Sequence, residues 1–253
     1  MARQSGLVKF TGQMGGVSFY KTAEDGYLAR TKGGVDGDRI KNSPEFQRTR
    51  ENGAEFGRAG AAAKLLRQAF RSAIVTSSDS RMSSRLTSEM VKVVRADTTS
   101  ARGERSVIDG EAKLLEGFEF NAKANLSSTF FAIYIPNVDR AGGLVTISIN
   151  SFVPSDFIAA PSGATHFKLI CASAEIDFEG GLFTPNIISS NDLALSNQQQ
   201  AAMSLETLFT PGGRDPVFVL FGIEFYQQVN GQMYSLKNGA YNALSLVLVS
   251  VPN

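Results

Sequence analysis

Pro216-Val217-Phe218-Val219-Leu220-Phe221-Gly222-Ile223-Glu224-Phe225-Tyr226-Gln227-Gln228-Val229, followed by Asn230-Gly231 and then Gln232-Met233-Tyr234-Ser235-Leu236, decides the class of fold. A long β-branched and aromatic run that ends in Asn-Gly and resumes as a shorter run is strand, turn and strand. The same grammar extends in both directions. Further strands are predicted over residues 117–120, 129–135, 144–149, 165–172, 175–178 and 243–251. Turn residues at 139–143, 161–163, 179–181 and 238–239 separate them, and residues 190–200 form a polar loop or a short helix. No helical crossover intervenes, so the expected arrangement is an antiparallel β-sandwich.

Upstream of residue 106 the period changes. Ser43-Pro44 supplies a cap followed by a proline at the first helical position. Phe56, Ala59, Gly60, Ala63, Leu66, Phe70 and Ile74 then recur at spacings of mostly three and four. Gly53, Gly57 and Gly60 each cost helix propensity, about 1 kcal/mol relative to alanine, which predicts close approach by another element or a break near Asn52-Gly53. A second helix is expected from an Asp79 cap to about Ala96, with Met82, Leu86, Met90 and Val93 inward. The short Thr76-Ser77-Ser78 link makes the two a helical hairpin.

The first 32 residues carry two or three short β runs, at residues 7–10, 15–21 and 27–30, with a turn at Asp25-Gly26. So small a meander buries too little to stand alone. The expected class is therefore α+β: an N-terminal β-hairpin or meander with a helical hairpin in residues 1–105, then a β-sandwich in residues 106–253.

Charge divides along the same line. Residues 1–105 hold 19 Lys/Arg against 11 Asp/Glu, and residues 106–253 hold 6 against 13. Such asymmetry suits either an arm that binds nucleic acid or head-to-tail association of identical subunits. On the second helix Arg81, Arg85, Lys92 and Arg95 fall within about 80° at 100° per residue. They form a candidate face for an acidic protein surface or for phosphates, and equally an ordinary solvated face. No interleaved aromatics or nucleic-acid motif accompany them.

Catalytic machinery is not evident. His166 is the single histidine, and Cys171, five residues along the same predicted strand, faces the opposite side. One histidine and one cysteine cannot make a zinc site, and no cofactor is expected. Glu175, Asp177 and Glu179 could place three carboxylates on one strand face. With Ala174, Ile176 and Phe178 opposite, the simpler reading is a half-buried strand showing its polar side to water. Gly12-Gln13-Met14-Gly15-Gly16 lacks the lysine of a phosphate loop and precedes a strand, so a tight turn is predicted. A single cysteine excludes an internal disulfide framework. No apolar run of signal-peptide length follows the first residues and none of membrane-spanning length occurs, so a soluble chain without a transmembrane segment is expected.

The runs Gly12-x-x-Gly15-Gly16-Val17-Ser18-Phe19-Tyr20-Lys21, Tyr27-Leu28-Ala29-Arg30 and Phe46-Gln47-Arg48-Thr49-Arg50-Glu51-Asn52-Gly53 resemble the opening of a group of uncharacterised Bacteroidota proteins, over roughly the first 120 residues. The resemblance implies no activity and no site residue. The function expected from the residues themselves is a non-enzymatic structural subunit that forms a homo-oligomer or polymer. In that reading the Val17-Ser18-Phe19-Tyr20 strand pairs with a neighbouring subunit's open sheet edge, and Val17, Phe19 and Tyr20 lie at the interface. The alternative is a binding module whose sandwich loops take a glycan or protein while the basic helices hold nucleic acid or an acidic partner.

Overall fold

The computed structural model describes residues 2–31 and 33–252 of the chain. Met1 and Lys32, the first and last of the 32 residues that carry the predicted meander, lie outside the described residues. Contacts divide the chain into two compact units, residues 1–50 and 51–253.

The first unit is a four-stranded antiparallel sheet built from β1 (Ala2–Arg3), β2 (Gly12–Met14), β3 (Val17–Thr22) and β4 (Gly26–Thr31), in the order β1-β4-β3-β2. Gly15 and Gly16, at φ 56° and 77°, make the tight β2–β3 turn, a conformation that glycine adopts without steric cost. A short helix, α1 (Gly37–Asn42), follows, its Asp36 cap accepting from the Asp38 amide. Ser43-Pro44 opens a single 3-10 turn (Pro44–Phe46) rather than the long helix.

The long helix is α2 (Gln47–Ala69), which Phe70 separates from α3 (Arg71–Thr76). It runs through Asn52-Gly53 without a break. A Cβ placed on Gly53, Gly57 or Gly60 would meet nothing within 4 Å, so the close approach expected there is not seen among the described residues. Then comes α4 (Met82–Arg95), with the Asp79 carboxylate accepting from the Arg81 amide ahead of its first turn.

Nine strands follow: β5 (Tyr134–Asp139), β6 (Leu144–Ile149), β7 (His166–Asp177), β8 (Leu182–Ser189), β9 (Leu193–Ala194), β10 (Met203–Leu208), β11 (Val217–Val229), β12 (Gln232–Ser235) and β13 (Ala243–Ser250). Two single-turn helices, α5 (Leu126–Thr129) and α6 (Pro154–Phe157), sit in the connections. β7 pairs with β8, β9 and β11, and β11 also pairs with β12 and β13. A second sheet runs β10-β6-β5.

Three layers result. Alternate residues of the central strands enter two separate cores, as a period of two demands. Ala172, Ala174, Ile176, Phe218, Leu220, Leu244 and Leu246 pack with Ala63, Leu66, Leu86, Met90 and Val93 of the helices. Phe167, Leu169, Cys171, Val217, Val219, Phe221 and Ile223 pack with Val145, Ile147, Ile149 and Leu205 of the small sheet. Strands covered on both faces have no polar side, which is why β7 and β11 read as near-continuous apolar runs.

Two expectations change accordingly. The helical hairpin is not part of a separate 1–105 domain: it is the layer that covers the central sheet, so a cut at residue 105 would strip one core from the other half. Glu175 does not face water either. It is only 7% exposed, while Asp177 is half-buried and Glu179 exposed.

Residues 117–120, expected as a strand, instead bond along the outer edge of β13: the Gly117 and Phe120 amides donate to the Leu246 and Leu244 carbonyls, and the Leu246 amide donates to Phe118. On the opposite side, β5 and β8 are edges. The Asn150 amide donates to the Ile133 carbonyl and the Ser190 amide to Leu169, which fixes the phase of each ladder. In that phase Pro136 and Pro185 stand where the backbone faces away from the sheet. A polar strap completes the second unit. The buried Glu55 carboxylate accepts from the Gly103 amide at 2.8 Å, and Arg58 donates to the Arg105 carbonyl at 2.6 Å.

Candidate functional site

The sheet of residues 1–50 has two unlike faces. Register sets Met14 beside Val17, and Phe19 beside Ala29, so these four share one face, with the Phe10 ring tilted against Phe19 at 5.8 Å between ring centroids. Tyr20, Leu28 and Arg30 occupy the other, the Arg30 guanidinium lying 5.5 Å from the centroid of the Tyr20 ring. Leu28 is the one buried residue among those described in this unit. Met14 is 61% exposed and Phe10 49%, while Val17, Phe19 and Tyr20 are half-buried. This face is apolar and partly open to solvent.

The three residues expected at an interface are thus brought onto one strand, but not onto an open edge. Val17 pairs with Met14 on one side and Thr31 on the other, and Phe19 pairs with Gly12 and Ala29. β3 is internal. Pairing it with a neighbour's sheet edge would require β2 to leave first, so Val17 and Phe19 offer a face, with Tyr20 on the reverse side.

The four basic residues of α4 do not act as one patch. Arg85 donates to the Glu119 and Phe120 carbonyls, pairs with Asp79 and lies over the Phe118 ring at 5.1 Å. Burial would raise the Asp79 carboxyl, but the Ala122 and Arg81 amides and the Arg85 guanidinium outweigh it and hold it below the usual carboxylate range. Lys92 is paired with Glu89 at 2.7 Å. Arg81 and Arg95 remain exposed at the two ends of the helix, about 21 Å apart at 1.5 Å per residue and beyond a Debye length of about 8 Å.

His166 receives or donates one bond, to the Thr165 hydroxyl at 2.9 Å, and Cys171 is buried, which pushes its thiol up to about 11. Among the described residues no group of three His, Cys, Asp or Glu side chains converges as a metal site, and no helix is long and apolar enough to cross a membrane.

No protein-family model matches the chain, and no curated protein matches it. A solved structure concerned with pH-induced modulation of Streptococcus parasanguinis adhesion by Fap1 fimbriae is similar over 49% of this chain and 92% of that one, at 10% identity and a TM-score of 0.22. At that score the likeness carries no argument.

Proposed function

We propose that this chain is a non-enzymatic, self-assembling structural subunit, of the kind that builds a filament, appendage or phage-like particle, and that a neighbouring subunit covers its N-terminal sheet. One observation carries the reading: four strands are ordered around a single buried side chain, Leu28. Burying a leucine contributes about 1.5–3 kcal/mol, whereas fixing each backbone residue costs about 1–2 kcal/mol. One buried leucine is small against that cost, so covering the Met14, Val17, Phe19 and Ala29 face would add stabilisation the sheet lacks. A face-to-face contact does this without breaking the ladder.

Light scattering and negative-stain microscopy of the full-length chain test the reading. Wild type should assemble with rising concentration, Val17→Asp/Phe19→Asp should stay monomeric, and Ser18→Asp, on the opposite face, should behave as wild type. A wild type that remains monomeric at high concentration, or a double variant that assembles equally well, overturns it.

A further inference from the structure

At one end of the central sheet a cavity of about 380 Å³ opens between residues 107–112, the β7–β8 turn and residues 214–216. Ile108, Phe178 and Val251 give it apolar walls, and Asp177, Glu179 and Asp215 give it an acidic rim, with Arg214 alongside. Among the described residues no lysine or arginine forms an ion pair with these three carboxylates. Arg140 is near, but its guanidinium donates to the Ser250, Gly213 and Asp215 carbonyls at 2.8–2.9 Å. Burial, then the carboxylates of Asp177 and Glu175, raise the Asp215 carboxyl above its usual range, and Arg140 offsets only part of this. The rim is net acidic: Glu111 lines it too, Asp177 accepts from the Glu179 and Gly180 amides, and Arg214, on the same rim, is ion-paired to none of Asp177, Glu179 and Asp215. The carboxylates do not converge as a metal site would require, so the shape that fits is a cation on an apolar stem with apolar neighbours.

The chain carries such a segment. Leu7, Val8 and Phe10 are 105%, 67% and 49% exposed, and between them stands Lys9, whose ammonium is held by the exposed Gln4 carbonyl. The units that bear segment and cavity are charged in opposite senses. Residues 1–50 hold 9 Lys/Arg against 5 Asp/Glu, and residues 51–253 hold 16 against 19.

We propose that the 7–10 segment of one copy docks in the acid-rimmed cavity of a second copy, Lys9 meeting Asp177, Glu179 and Asp215 while Leu7 and Val8 lie on Ile108, Phe178 and Val251. The contact rests on the assembly reading above and names the part of the neighbour that is met. Because it joins unlike surfaces, each copy keeps one segment and one cavity free for the next, and growth is head to tail.

Two full-length single variants, Val8→Cys and Ile108→Cys, which leave every charge of the contact in place, mixed under mild oxidation, test it. The expected product is a disulfide-linked dimer in the mixture and in neither variant alone; the buried Cys171 thiol contributes little background. In parallel, Asp177→Asn/Asp215→Asn should keep its circular dichroism spectrum and lose at least tenfold in self-association by sedimentation. If the mixture links no better than its components and the asparagine variant associates as wild type, while Val17→Asp/Phe19→Asp does not associate, this docking is wrong and the assembly reading stands. A wild type that is monomeric throughout overturns both.

Discussion

Pro136 and Pro185 hold equivalent positions on the open edges of two different sheets: each lies near the middle of its strand with its backbone nitrogen facing away from the neighbouring strand. A proline there removes the N–H that an incoming strand would need, while the ladder on the inner side is untouched. Pro136→Thr/Pro185→Thr should therefore leave thermal stability within about 1 kcal/mol of wild type and increase irregular aggregation. Turbidity growth after mild heating measures this, and an unchanged rate removes the guarding role.

Arg85 is a structural arginine. Its loss leaves Asp79 and the Glu119 and Phe120 carbonyls short of a partner. Its side chain is 32% exposed, which discounts the 3–5 kcal/mol typical of a broken buried pair. Arg85→Gln should cost about 1–3 kcal/mol in urea denaturation, whereas Arg81→Gln and Arg95→Gln should each cost under about 0.5 kcal/mol. Equal effects at all three positions would contradict this assignment.

Asp97 is fully buried and accepts from the Thr99, Ser100 and Ser106 amides. The Ser100 amide foremost, against the cost of burial and aided by Ser106 and Thr99, holds its carboxyl well below the usual range. The sign follows from the depressed value. Asp97 stabilises the fold above the unfolded carboxyl value of about 3.9, and that contribution fades as pH falls further. Asp97→Asn should lower Tm at pH 7 and flatten the decline of stability below about pH 4, as followed by circular dichroism melts. A variant with the wild-type acid profile would count against it.

Gly57 is exposed in the middle of α2, and a Cβ there would meet nothing within 4 Å. Gly57→Ala should stabilise the monomer by about 0.5–1 kcal/mol. If it instead abolishes assembly, this helix face is a contact between subunits.

How much was legible in the sequence depended on which physical signal each element carried. β11 announced itself through its apolar run and Asn230-Gly231, whose positive φ values of 50° and 79° make the predicted turn. Helices α2 and α4 followed from spacing. β8 was invisible because Leu182-Phe183-Thr184-Pro185 has no period and includes a proline, both consequences of its place on an edge. β10 was missed too, although Met203, Leu205 and Thr207 do alternate inward along it. Ser173 and Ala174 resembled an interruption in β7, yet Ser173 is buried and accepts a bond from the Thr207 hydroxyl at 2.7 Å. The 105/106 boundary failed for a different reason: a change of period marks a change of element, and only packing reveals whether the two elements share a core. At the candidate surface, the short β runs of the meander were legible, but the two-sided pairing of β3 depends on register, which no single strand encodes.

β13 joins a near partner, β11, to a distant one, residues 117–120. Asn121 bonds to Asn242 across 121 residues, and Asn242 bonds to Thr76 across 166. Entropy lost in closing loops of this length must be met before any of these contacts stabilises the chain. Refolding should therefore be slow for a protein of this size: the central strands pair with sequence neighbours, and the helical layer and residues 117–121 lock onto them only after their long loops close.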